Sequence, residues 1–307
     1  MIVFLNILVL IMCVLLSIAF FTLMERKVIS FSQNRMGPNK VSLIGILQPI
    51  SDAIKLLSKE MNLNSKSNIS MFFISPCLNL ICSLTMWLIL PIKFEFTFMK
   101  MSALFMIGCM TMNTLTLMMM SWASNSNYAF IGMMRTISQL ISYEINFMLI
   151  IITIMNLTTQ LNFNIMWMSQ KYAPFIILIL PLFLLWIFTI LAETNRTPFD
   201  FSEGESELIS GFNIEYSSSS FIFLFLSEYS SILVMSVVTT CMFTNFQIFT
   251  ISLYITYLSI CFLFIWTRTS FPRFRYDKLM KLNWTQILPT STIILYLSFW
   301  IKITCTM

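Results

Sequence analysis

Residues 2–27 read IVFLNILVLIMCVLLSIAFFTLMERK, an apolar run from Ile2 to Met24 followed at once by Glu25, Arg26 and Lys27. About 20 apolar residues in a helix match the hydrocarbon thickness of a bilayer. No small-residue cleavage site precedes the charges, so the segment reads as a retained first membrane helix, not a cleaved signal. The rest of the chain has the same character. Hydrophobic residues make up 58% of 307 positions and charged residues 10%, which is far from a soluble composition. The expected fold class is all-α, because a helix satisfies its own backbone groups inside lipid. The chain is expected to be a single integral membrane domain over 1–307.

Apolar runs of about 20 residues predict eight spans: Ile2 to Met24, Ser70 to Leu90, Ser102 to Trp122, Gln139 to Leu157, Ala173 to Leu191, Ser219 to Cys241, Phe246 to Trp266 and Ile287 to Ile303. Fourteen of the eighteen basic residues fall in the loops after the first, third, fifth and seventh spans. Only Lys93, Lys100, Lys171 and Lys302 fall on the other side. This bias puts the long odd-numbered loops on the negative side of the membrane, with both termini on the opposite side. Three such loops stand out, at 25–69, 192–218 and 267–286.

The chain has no histidine, which removes His-based haem and metal ligation and the commonest general base. Its seven cysteines are scattered through apolar segments without a CxxC pair, so they read as small core residues. Any electrons in the system are expected to travel on metals held by partners. The abundance of Met and Phe over Gly hints at an AT-rich organelle genome.

The loop from Ala192 to Tyr216, AETNRTPFDFSEGESELISGFNIEY, gathers Glu193, Asp200, Glu203, Glu205, Glu207 and Glu215 among the thirteen acids of the chain. Carboxylates at a membrane boundary are costly to hold ionised and so exchange protons when their surroundings change. Glu144 and Glu228 fall inside predicted spans, where a charge costs roughly 2.5–3.5 kcal/mol on insertion scales. Tyr143 and Tyr229 adjoin them and could extend a hydrogen-bonded relay. The alternative is ion pairing with Arg135 or Arg196 to fix helix contacts, which suits Glu193 because Arg196 is one turn away.

In the first loop Leu47, Ile50, Ile54, Leu57 and Met61 alternate with Gln48, Asp52, Lys55 and Lys59 at helical spacing, which predicts an amphipathic surface helix started by Pro49. Asp52 beside its apolar face suggests a lined cavity. The last loop interleaves Arg268, Arg273 and Arg275 with Phe271, Phe274 and Tyr276. So short a block between spans fits protein docking better than nucleic acid.

Five blocks in order, ERKVISFSQNRMGPNK from Glu25, LQPISDAIKLLSKE from Leu47, ISYE ending at Glu144, the acidic run from Ala192 and FPRFRYDKLM from Phe271, resemble the subunit 1 family of NADH:ubiquinone oxidoreductase, the quinone-site membrane subunit of respiratory complex I. The resemblance covers the whole chain. It implies a multi-pass protein of the mitochondrial inner membrane whose long loops face the matrix. It implies a ubiquinone chamber near Glu25, Arg26, Arg35, Asp52, Phe225, Tyr229 and Arg275. It also implies a proton path through Tyr143, Glu144, Glu193, Asp200, Glu203, Glu205, Glu207, Glu215, Tyr216 and Glu228. Ubiquinone is then the substrate. NADH, FMN and iron–sulfur clusters belong to partner subunits, no metal is held here, and the neighbours are other complex I subunits and membrane lipids. Ser217 to Ser220 stands where the family is commonly Ala/Gly-rich, and Met133 and Met134 replace smaller residues. A stand-alone cation/proton antiporter or channel would also keep buried acids, although no internal repeat is found. A structural anchor for another redox arm is the third reading.

Overall fold

The computed structural model describes residues 2–61, 65–90, 101–163, 166, 169–201, 215–245 and 250–306. Among these the regular elements are all helical: α1 (Ile2–Ser32), α2 (Gln48–Leu57), α3 (Ile69–Thr85), α4 (Ser102–Ser124), α5 (Asn127–Thr158), α6 (Leu180–Glu193), α7 (Ser218–Phe243), α8 (Ile251–Ser270), α9 (Tyr276–Leu282) and α10 (Leu288–Thr306). Short turns precede α2, follow α3 and precede α6, and a π-helical turn, Asn283–Ile287, joins α9 to α10. Seven helical stretches are long and apolar enough to cross a membrane. The chain is a polytopic, all-α membrane protein.

The fifth expected span is present but broken. A single turn, Phe175–Leu178, is separated from α6 by Ile179, whose backbone leaves the helical region at φ −131° and ψ 57°. Pro181 follows at the start of α6, where the missing N–H costs nothing but would interrupt a continuous helix. The 14 residues of α6 rise only about 21 Å, less than the roughly 30 Å hydrocarbon core.

Two elements extend into expected loops. Helix α1 runs 31 residues to Ser32, about 46 Å, and carries Glu25, Arg26 and Lys27 on its last two turns. The third long loop shrinks to the non-helical stretch from Phe271 to Arg275, because helix resumes at Tyr276. Asp277 sits in that helix's first turn, where the positive end of the dipole favours it.

Packing inverts the usual pattern of a soluble protein. Phe4, Leu8, Met12, Leu16 and Phe20 line an exposed face of α1, as a lipid-facing helix requires. The core is centred on α5 and α6, where Phe147 stacks on Trp186 at 5.0 Å and Phe243 of α7 lies 6.0 Å from Trp186. Helices α3, α4 and α7 pack side by side, and α5 packs against α4, α6 and α10. Many hydroxyls in the spans bond a carbonyl three or four residues back, as Ser236 does to Leu233 and Thr153 to Ile150. That internal bond lets Ser and Thr sit in lipid-embedded helices.

Helix α2 forms as its spacing predicts, with Pro in its first turn and none of its residues buried. Ile50, Ile54 and Leu57 are exposed together. The turn before it depends on Gly45, at φ +78°, where a Cβ would lie 2.1 Å from the Pro38 carbonyl oxygen. Only glycine fits so close an approach.

Candidate functional site

Two polar groups lie inside the helix bundle, and they are built differently. The first is centred on Glu25, which is 5% exposed on the final turns of α1. Arg268 of α8 donates to Glu25 Oε1 in a close contact, and Arg196, just past α6, lies 3.2 Å from the same oxygen. Tyr229 of α7 donates to Glu25 Oε2 at 2.7 Å, and the Arg196 guanidinium sits 4.5 Å over the Tyr229 ring. Four segments distant in sequence therefore meet on one carboxylate. Burial opposes the charge on Arg196, but Glu25, Tyr229 and Glu228 together outweigh it, so the guanidinium titrates above its ordinary range.

This group continues outward. Phe225 stacks on Tyr229 at 6.4 Å and meets Phe221 in a tilted contact at 4.4 Å, making an aromatic ladder along α7. At the next residue of α1, Arg26 pairs with Asp52 of α2, and Asp52 also accepts from Gln48 at 3.0 Å. Lys27 donates to the Ile44 carbonyl at 2.8 Å. The surface helix is thus fastened to α1 by charge, with its apolar face left exposed.

The second group is a cavity of about 50 Å³ between α3, α4, α5, α6 and α7. Its lining includes Asn79, Asn113, Thr114, Glu193, Asn195, Ser227, Glu228 and Ser231, and no basic residue. Glu144 of α5 adjoins it, within hydrogen-bonding reach of Thr114 and close enough to Glu193 for the two charges to interact. Among the described residues, buried oxygens of Glu144, Glu193, Asn113 and Asn195 have no hydrogen-bond partner. A polar cavity of this size has room for water, which such oxygens require.

A strut joins the two loops beside these groups. Gln139, fully buried on α5, donates to the carbonyls of Ala192 and Phe199 at 2.9 and 3.0 Å. Phe199 stacks on Phe274 at 5.7 Å, the Phe274 N–H donates to Pro198 O at 3.0 Å, and Arg273 lies 3.2 Å from buried Asp200.

The NADH dehydrogenase family profile matches residues 5–299. A protein of Aedes aegypti named NADH-ubiquinone oxidoreductase chain 1 is 45% identical over 296 residues, covering 96% of this chain and 95% of its own. The proteins of that name from Apis mellifera ligustica and Balaenoptera physalus are 44% identical over 304 residues and 41% over 291. They cover 99% and 92% of this chain and the same shares of their own. The chain belongs to the NADH-ubiquinone oxidoreductase chain 1 family.

For a member of the chain 1 family, the residues marked by sequence now have places. Glu25, Arg26, Asp52, Phe225 and Tyr229 are linked by contacts around the end of α1. Arg35 is exposed past that end, and Arg275 is exposed and paired with Asp277 at 3.1 Å. Glu144, Glu193 and Glu228 converge on the cavity. Asp200 is buried on Arg273, and Glu215 begins the described segment before α7. Glu203, Glu205 and Glu207 lie outside the described residues. Tyr216 stacks on Phe72 at 4.2 Å and donates to Met120 O at 2.9 Å, and burial pushes its phenol up to about 12.

Three expectations change. The Tyr229 hydroxyl turns to Glu25 instead of extending from Glu228, because successive residues of a helix point about 100° apart. For the same reason the Tyr143 ring faces Phe199, at 6.3 Å, and its hydroxyl is buried without a partner among the described residues. Arg196 serves Glu25, not Glu193. The sequence did not single out Gln139 and Asn79, and it gave Arg196 and Arg268 other parts than the Glu25 cluster. For the two amides the available signal was a buried amide in an apolar helix, which must find partners.

Proposed function

We propose that this chain is a core membrane subunit of a proton-pumping NADH:ubiquinone oxidoreductase in the mitochondrial inner membrane, with its long loops towards the matrix. It supplies pocket and proton groups for ubiquinone reduction. NADH, FMN and iron–sulfur clusters are carried by partner subunits, and its neighbours are the membrane-arm and quinone-module subunits. The names of its relatives and the two polar groups support this reading.

The observation that carries it is the convergence of Glu193 and Glu228 on one cavity, with Glu144 alongside and no basic residue in the lining. Ubiquinone reduction takes up two electrons and two protons, so negative charge near the start of the acidic loop alters the proton affinity of nearby carboxylates. Glu25, Arg26, Arg35, Asp52, Phe225, Tyr229 and Arg275 bind or steer the quinone. Proton redistribution then runs from Asp200, Glu203, Glu205, Glu207 and Glu215 towards Glu193, Glu144 and Glu228, with Tyr143 and Tyr216 bordering the route. The Glu25 group holds fixed charge next to this path, and the cavity holds the groups whose charge can change.

The test is Glu144→Gln in the assembled complex, with proton pumping measured per NADH oxidised. A lower ratio is expected, and an unchanged ratio would remove Glu144 from the path. Photolabelling of this chain by a quinone analogue, competed by ubiquinone, tests the pocket. No labelling in an assembled, active complex would leave the chain an anchor.

A further inference from the structure

Asn79 is 5% exposed in the middle of α3, and it bonds both neighbouring helices. Its amide nitrogen lies 2.6 Å from Ser227 Oγ of α7, and its carbonyl oxygen accepts from the Thr116 hydroxyl of α4 at 2.9 Å. Ser227 spends its own proton on the Leu224 carbonyl at 2.7 Å and so accepts from Asn79, while the Thr116 hydroxyl shares its one proton between the Asn79 oxygen and the Asn113 carbonyl at 2.8 Å. Asn79 also lines the acid cavity, together with Ser227 and Glu228.

We propose that Asn79 is a positioning residue for the acid cavity: through Ser227 it fixes the rotation of α7 that directs Glu228 into the same space as Glu193. Apolar faces alone do not set that rotation. Between helices in lipid there is no hydrophobic drive, so close packing and interhelical hydrogen bonds decide registry. A turn of about 100° per residue means that a modest rotation of α7 carries Glu228 off the cavity wall. Helix α7 has hydroxyls available for many registers, since Ser218, Ser219, Ser220, Ser227, Ser230, Ser231 and Ser236 all lie along it. The Asn79 bridge selects one. This inference rests on the proposed proton role of the cavity.

The experiment uses the assembled complex carrying Asn79→Ala. The expected result is an unchanged KM for quinone with proton-coupled turnover lower by about fivefold, the effect of one lost hydrogen bond on the competent arrangement. Ser227→Ala should reproduce the loss, Ser227→Thr should restore turnover by keeping the hydroxyl, and the double variant Asn79→Ala/Ser227→Ala should lose no more than either alone. Unchanged coupled turnover in Asn79→Ala, or additive losses in the double variant, would overturn the proposal. If Asn79→Ala prevents assembly, the Ser227→Ala and Ser227→Thr pair decides alone: equal turnover in the two overturns it. Glu228→Gln separates the two readings. Normal pumping in that variant removes the proton role of the cavity itself, whereas impaired Glu228→Gln with normal Asn79→Ala removes only the positioning role.

Discussion

Glu25 and Glu193 are both carboxylates held inside the bundle, and their surroundings are opposite. Glu25 meets two guanidinium groups and a phenol. Glu193 shares a cavity with Glu228, several amides and hydroxyls, and no base, and one of its oxygens has no partner among the described residues. A buried acid between two arginines is locked in its charged form, since losing the proton-free state would leave two like charges facing each other. A buried acid with no cation in its cavity can change state without breaking an ion pair. The same residue type therefore fixes charge at the end of α1 and makes it adjustable between α6 and α7.

The largest effect should follow from breaking the fixed site. Glu25→Gln leaves Arg196 and Arg268 uncompensated and should cost about 3 kcal/mol, at the low end for a buried pair because Arg268 is partly exposed. Thermal stability of the purified complex measures this, and a melting curve like that of the parent would place Glu25 outside the fold's supporting charges. Glu193→Gln should behave in the reverse way, with stability changed by less than about 1 kcal/mol and protons pumped per NADH reduced. Loss of stability equal to that of Glu25→Gln would make the two sites alike and break the contrast.

A smaller effect belongs to Tyr216, which anchors α7 to α4 from outside the spans. Tyr216→Phe removes one bond to Met120 O, worth about 1 kcal/mol. Its phenol is raised by burial to about 12, against about 10 when unfolded. A raised value in the folded state means that the contribution is complete below pH about 10 and fades as pH rises towards 12. Stability scanned over that window should decline less steeply in Tyr216→Phe, and identical slopes would show that this phenol is not linked to folding. The smallest effect is expected from Arg275→Ala, because the Arg275–Asp277 pair is largely in solvent. Stability should stay within about 0.5 kcal/mol. Any loss of quinone reduction in that variant would then report on contact with quinone or a partner, not on the fold.

Much of this arrangement was legible from residue order. The apolar runs located the spans, the spacing from Leu47 to Met61 gave α2, and Glu144 and Glu228 declared themselves by standing inside apolar helices. The break at Ile179 was not legible, although Pro181 marks its neighbourhood, because a proline can start a helix as well as end one. The partners of Glu25 were not legible either. Arg196 was closest in sequence to Glu193, but it leaves α6 on the side of α1, and Arg268 lies 243 positions from Glu25.

The sequence by itself determined that this chain is a set of membrane helices, because a bilayer imposes length and polarity on each segment independently of the others. It also fixed membership of the chain 1 family through motifs that survive in order. Tertiary structure alone decided which acids are neutralised by arginine and which open onto a shared cavity. That division depends on helix rotation and crossing, which bring Glu25 to Arg268 and Asn79 to Ser227 across long separations, and no local pattern along the chain records it.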